Sequence, residues 1–129
     1  MKKNIIIIAL IFIVPIIAYT VMSGNHTATE AKQIAGQPQV IKFSSKLCID
    51  CKKIKKCFEE LIPKYQDKIS ITEYDVQSQE KSVEDAIDKY NVSLVPTVIF
   101  IDKNGNEIKR TEGYVDKNTL DTYFNELLK

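Results

Sequence analysis

One histidine, three cysteines and no tryptophan leave this chain of 129 residues short of the side chains that hold metals. A structural zinc takes four nitrogen or sulfur ligands, and the candidates are Cys48, Cys51, Cys57 and His26, the last in a polar stretch far upstream, so no metal is expected. The 18 Lys and Arg nearly balance the 17 Asp and Glu, and a net charge of +1 argues against a nucleic-acid partner. No internal repeat or low-complexity block is visible, so the chain does not read as a repeat array. Charge itself is missing between Lys3 and Glu30, and Ile5 to Met22 is nearly all apolar.

That uncharged run is long enough to matter. Residues 4–22 would form a helix of roughly 28 Å at 1.5 Å per residue, matching the hydrocarbon core of a bilayer. We read it as an uncleaved membrane anchor, because it exceeds the usual apolar core of a secretory signal and no Ala-x-Ala follows. The alternative is a cleavable signal, with Lys2-Lys3 as its basic region and Val21-Met22-Ser23 as the cleavage site. Both readings export the rest of the chain. A buried core helix, apolar on every side, is too large for so small a domain. Lys2 and Lys3 keep residues 1–3 cytoplasmic, and Pro15 would only kink a spanning helix. Residues 23–38, rich in Gly, Asn, Thr, Ala and Gln, read as a tether, and residues 39–129 as the domain.

Within the domain, Val40 to Phe43 reads as a strand and Lys52 to Tyr65 as a helix whose buried face is Ile54, Phe58, Leu61, Ile62 and Tyr65, with Pro63 kinking or ending it. Ile69 to Val76 is expected to be a strand with Ile69, Ile71 and Tyr74 alternating. Val83 to Tyr90 is predicted as a helix with Val83, Ile87 and Tyr90 inward. Val98 to Ile101 and Glu107 to Gly113 form a hairpin across Asn104-Gly105, and Asp116 or Asn118 caps a last helix bearing Leu120, Phe124 and Leu127. This order implies a central mixed sheet with helices on both faces.

Between the first strand and helix lies Cys48-Ile49-Asp50-Cys51. A helix start offers unpaired N–H groups and a positive dipole end, which stabilise an anion. Cys48 is therefore a candidate thiolate nucleophile, and Cys51, one turn on, a candidate resolving thiol. Lys46, Lys52, Lys53, Lys55 and Lys56 add positive potential, and Asp50 opposes it. The same spacing also serves zinc sites and static disulfides. Cys57 is rotated roughly 240° from Cys51 and 180° from Cys48 at 100° per residue, so it reaches neither, and it reads as a small core hydrophobe rather than an exposed thiol. His26 reads as a tether residue.

The strand Val40–Phe43, then Cys48-Ile49-Asp50-Cys51-Lys52, then Val95-Pro96-Thr97 before the strand Val98–Ile101, resembles the thioredoxin family, and the similarity extends through Asp102-Lys103-Asn104-Gly105-Asn106, Gly113 and the final helix. The resemblance implies an α/β thioredoxin fold. Its four- or five-stranded sheet would be flanked by helices, with the family's first strand not recognisable here. It implies a redox disulfide between Cys48 and Cys51 and no cofactor. Locally, Pro96 reads equally well as an ordinary strand-opening proline; the resemblance implies a cis bond before it, with Val95 beside Cys48 to pair with an incoming substrate strand. Val95, Pro96, Leu47 and Gly113 are then the substrate-binding candidates.

Three features depart from the family. Leu47 replaces the tryptophan usual before the first cysteine, Ile49-Asp50 replaces Gly-Pro, and Lys42 stands where a buried aspartate usually relays a proton to the resolving cysteine. The family's usual lysine partner aligns with Glu73. An ion pair with exchanged signs is one reading, with Glu73 taking the proton from Cys51; two unrelated side chains snorkelling to solvent is the other.

The function expected is thiol:disulfide exchange by a membrane-tethered, monomeric, single-pass protein on the extracytoplasmic side of a bacterial membrane. It would reduce disulfides of exported proteins and be re-reduced by a membrane electron donor. Reduction is favoured because the site lacks Cys-Pro-His-Cys, which the resemblance associates with strong oxidants. The alternative is a non-catalytic tethered module that binds an exported peptide or transporter, and a third possibility is a domain with a fixed structural disulfide.

Overall fold

The computed structural model describes Ile13 and residues 36–129. The expected cytoplasmic residues 1–3, the anchor over 4–22 apart from the helical Ile13, and the tether up to residue 35 lie outside the described residues. Among those described, no helix is long and apolar enough to cross a membrane.

From Gln39 the chain runs β1 (Gln39–Ser44), α1 (Ile49–Tyr65), β2 (Ser70–Asp75), α2 (Lys81–Lys89), β3 (Thr97–Ile101), β4 (Glu107–Glu112) and α3 (Lys117–Leu127). Four strands are present among the described residues, in the order β2-β1-β3-β4. β1 is parallel to β2 and antiparallel to β3, and β3 is antiparallel to β4. Opposed directions bring the ends of β1, β2 and β4 and the start of β3 to one edge of the sheet, where α1 also begins.

Strand side chains alternate between faces, so each strand feeds two cores. Val40, Ile69, Val98 and Phe100 pack with Ile54, Phe58 and Leu61 of α1 and Leu120, Phe124 and Leu127 of α3. Ile41, Phe43, Ile99 and Ile101 pack on the opposite face with Ala86 and Ile87 of α2 and Tyr90 at its C-cap. The second strand therefore differs from its expected pattern. Ile69 and Ile71 face α1 and α3, whereas Tyr74 lies on the other face and stacks on Phe43 at 5.2 Å.

Three boundaries also differ or sharpen. α1 starts three residues earlier than its apolar periodicity suggests, because Cys48 caps it. Pro63 does not stop the helix at once: it continues to Tyr65, and the Gln66 N–H closes it on the Ile62 carbonyl at 2.8 Å. Asp116, not Asn118, caps α3, its carboxylate accepting from the N–H groups of Asn118 and Thr119 at 3.0 and 3.1 Å. The hairpin turns at Gly105, in the left-handed region (φ 87°) where a side chain is strained.

Candidate functional site

Cys48 occupies the N-cap of α1 with extended backbone (φ −81°, ψ 123°), and its Sγ accepts the Cys51 N–H at 3.1 Å. A sulfur thus takes the place of the oxygen that usually caps a helix, where the free N–H groups favour negative charge. Ser45 sets the preceding turn: its carbonyl accepts the Cys48 N–H at 3.3 Å and its hydroxyl the Leu47 N–H at 3.3 Å. Cys48 and Cys51 are free thiols, the first half-buried and the second buried.

Opposite Cys48 stands the loop before β3. The Val95-Pro96 peptide bond is cis, and the Cys48 thiol points to the Val95 carbonyl across 3.8 Å. Thr97, fully buried, donates its hydroxyl to the Leu94 carbonyl at 2.7 Å. Gly113, at φ 88°, donates its N–H to the Pro96 carbonyl at 2.8 Å. Gly113 therefore backs the proline loop, while Leu47 projects into solvent, 80% exposed.

Behind Cys51 the two charged candidates come together. Lys42 and Glu73 face each other in the parallel β1–β2 register, and Lys42 Nζ lies 3.0 Å from Glu73 Oε2. Lys42 does not snorkel to solvent: its side chain is 3% exposed, against 46% for Glu73, and the ammonium stands 4.8 Å from the centre of the Phe58 ring. Ser44 donates its hydroxyl to Glu73 Oε1 at 2.7 Å. Sequence reasoning passed over Ser44, although period two from Lys42 on β1 puts it on the same face. Thr97 was likewise missed, since no local pattern marks a side chain that ties off a loop.

Burial pushes the Cys51 thiol up to about 11, the neighbouring Cys48 sulfur adding to the rise, while a Ser45 backbone contact and the Lys42 ammonium pull it down. Cys51 thus stays protonated near neutral pH until something takes its proton. A cleft of about 470 Å³ lined by Ser44, Ser45, Lys46, Cys51, Lys52, Lys55, Glu73 and Asp75 opens Cys51 and Glu73 to a common solvent space. Cys57 lies in the core between α1, α3 and the sheet.

A cysteine-capped helix, a second cysteine one turn on and a facing cis-proline loop, all at one edge of a mixed sheet, define a thioredoxin-fold protein with a CxxC site. The model of the Thioredoxin-like domain family matches residues 25–128, and the chain belongs to that family. It is 32% identical over 78 residues to a putative thioredoxin H10 of Arabidopsis thaliana, a match covering 60% of this chain and 47% of that protein. It is 28% identical over 117 residues to the thiol-disulfide oxidoreductase ResA of Bacillus cereus, covering 76% of this chain and 68% of that one. Among solved structures it is similar to oxidised thioredoxin O2 from Arabidopsis thaliana, with 31% identity, a TM-score of 0.61, and coverage of 73% of this chain and 77% of that one. The chain spans about half the length of the first of these relatives.

Proposed function

We propose that the protein is a thiol:disulfide oxidoreductase in which Cys48 is the nucleophile and Cys51 the resolving thiol. The observation that carries this reading is the Cys48 sulfur on the helix N-terminus, 3.1 Å from the Cys51 nitrogen and facing the Val95 carbonyl. Cys48 thiolate attacks one sulfur of a substrate cystine; the substrate S–S bond breaks, and the departing sulfur takes a proton as a thiol. Cys51 then loses its proton and attacks the Cys48 sulfur, releasing the second substrate thiol. Two electrons pass to the substrate and the protein is left with a Cys48–Cys51 disulfide. The Val95 backbone and Pro96 position the substrate chain.

In this reading Glu73 accepts the Cys51 proton through the shared cleft, and Lys42 holds the carboxylate in place. Near neutral pH the wild type is expected to resolve a mixed disulfide faster than Glu73→Gln. That advantage narrows as pH rises toward about 11, where Cys51 ionises unaided. Single-turnover release of a mixed disulfide, followed between about pH 5 and pH 9, checks this; identical pH profiles would sink the relay.

The apolar, uncharged run over residues 4–22 supports an extracytoplasmic position for the domain on a bacterial membrane. There it reduces disulfides of exported proteins, and a membrane electron donor restores its dithiol. Equilibration of the pair against glutathione or dithiothreitol buffers tests the direction. A reductase is expected near thioredoxin's potential of about −270 mV, whereas a value near about −120 mV would make it a disulfide donor.

A further inference from the structure

Six large apolar side chains of the domain are exposed; Ile108 and Leu128 lie at the far end of the sheet, and the other four gather near Cys48. Leu47 and Ile49, on either side of the nucleophile, are 80% and 71% exposed, and Leu94 and Tyr114 are 44% and 46% exposed. The fold's own bonds gather these four. Leu94 adjoins the Val95 carbonyl that faces Cys48, and Tyr114 follows Gly113, whose N–H is bonded to Pro96.

Outside this apolar collar the charge is mostly positive, although Glu73 and Asp75 line the same cleft. Residues 46–56 hold five lysines against Asp50 alone, a local charge of +4 in a chain whose total is +1. Lys46, Lys52 and Lys55 line the cleft on the β2 side, and Lys53 reaches to 5.7 Å from the Tyr114 ring on the other. The pairs Lys46–Asp75 at 3.5 Å, Lys53–Asp50 at 3.1 Å and Lys55–Glu59 at 3.9 Å are solvent-exposed and hold little energy. Among the described residues, Lys52 and Lys56 have no carboxylate within salt-bridge distance.

We infer that the substrate is an extended polypeptide segment whose cystine is flanked by apolar side chains and, further out, by carboxylates. This rests on the disulfide-exchange reading above. Apolar contact beside the sulfur supplies affinity, and the lysine ring draws and orients an acidic chain. An anionic bilayer would satisfy the same charge, but the collar encircles a nucleophile, and its occupant has to bring a disulfide bond to Cys48.

The test uses the full-length protein, dithiothreitol as the dithiol reductant, and two cystine peptides sharing a leucine-flanked centre, one ending in glutamates and the other in lysines. The glutamate peptide is expected to show about a tenfold higher kcat/KM at low ionic strength, and the difference should collapse in about 0.5 M salt. The double variant Lys52→Glu and Lys56→Glu should lose or invert the preference, and Leu47→Ser with Ile49→Ser should raise KM for both peptides. Equal rates at every salt concentration, or a faster lysine peptide, would overturn the inference. So would vesicles of phosphatidylglycerol that block peptide reduction, since the bilayer would then occupy the collar. Failure to reduce either peptide or small bis(2-hydroxyethyl) disulfide would remove the disulfide-exchange reading itself, and the selectivity with it.

Discussion

Cys48→Ser is expected to lower insulin disulfide reduction to the rate of dithiothreitol alone, while Cys51→Ser should leave the first attack intact and accumulate a covalent protein–substrate mixed disulfide. The asymmetry follows from where the two sulfurs sit. Cys48 is half-buried, on the helix N-terminus, and its Sγ accepts the Cys51 N–H at 3.1 Å. Cys51 is 3% exposed and its thiol is pushed up to about 11, so a substrate sulfur neither reaches it first nor finds it ionised. A hydroxyl at position 48 is far too weakly acidic to replace the thiolate near neutral pH. Non-reducing electrophoresis and mass spectrometry of each variant after incubation with oxidised insulin make the check. Trapping by Cys48→Ser instead of Cys51→Ser would reverse the assignment, and activity surviving the loss of Cys48 would point to a binding module instead.

Phe124→Ala should cost about 3–5 kcal/mol, the largest loss of stability expected from a single side chain in this domain. Phe124 is fully buried, stacks on Tyr65 at 4.8 Å, and meets Phe58 and Phe100 edge-on at 5.7 and 5.8 Å. It thus ties α3 to both α1 and the sheet, and its removal leaves a cavity that three rigid rings cannot fill. Tyr65 would lose its stacking partner while its hydroxyl stayed held by Asp121 at 2.6 Å, which limits collapse into the space. For a domain of this size the melting temperature should fall by on the order of 20 °C. Urea unfolding monitored by circular dichroism, with both proteins kept reduced, measures the difference. A loss below about 1 kcal/mol would mean that α3 does not close this core.

Much of this could be read directly from the chain. Val40 to Phe43, the spacing of Ile54, Phe58 and Leu61, and the Asn104-Gly105 turn are local patterns, and local patterns survive without knowledge of neighbours. The position of the CxxC at a helix start was equally legible, because it needs only the end of one apolar run and the beginning of another. Tyr74 was misassigned for a different reason. With Thr72 and Glu73 between Ile71 and Tyr74, residue parity and hydrophobicity disagree, and α2 rewards burial on the second face of β2. Pro63 sits two residues before the helix end at Tyr65, which the sequence placed correctly, and there it forfeits only one donor where the chain is about to leave.

By itself the sequence determined which residues can carry chemistry and which elements bear them, because period, capping and turn preferences act over a few residues. Only tertiary structure decided what those residues meet. Whether Lys42 and Glu73 pair depends on the register between two strands 31 positions apart at that point, and parallel pairing set it. The approach of Cys48 to Val95, 47 residues away, needs β3 to run back beside β1. Side-chain burial, and with it the contrast between Cys48 and Cys51, arises only when α1 closes on the sheet, since desolvation is a property of everything packed around an atom and not of its neighbours in the chain.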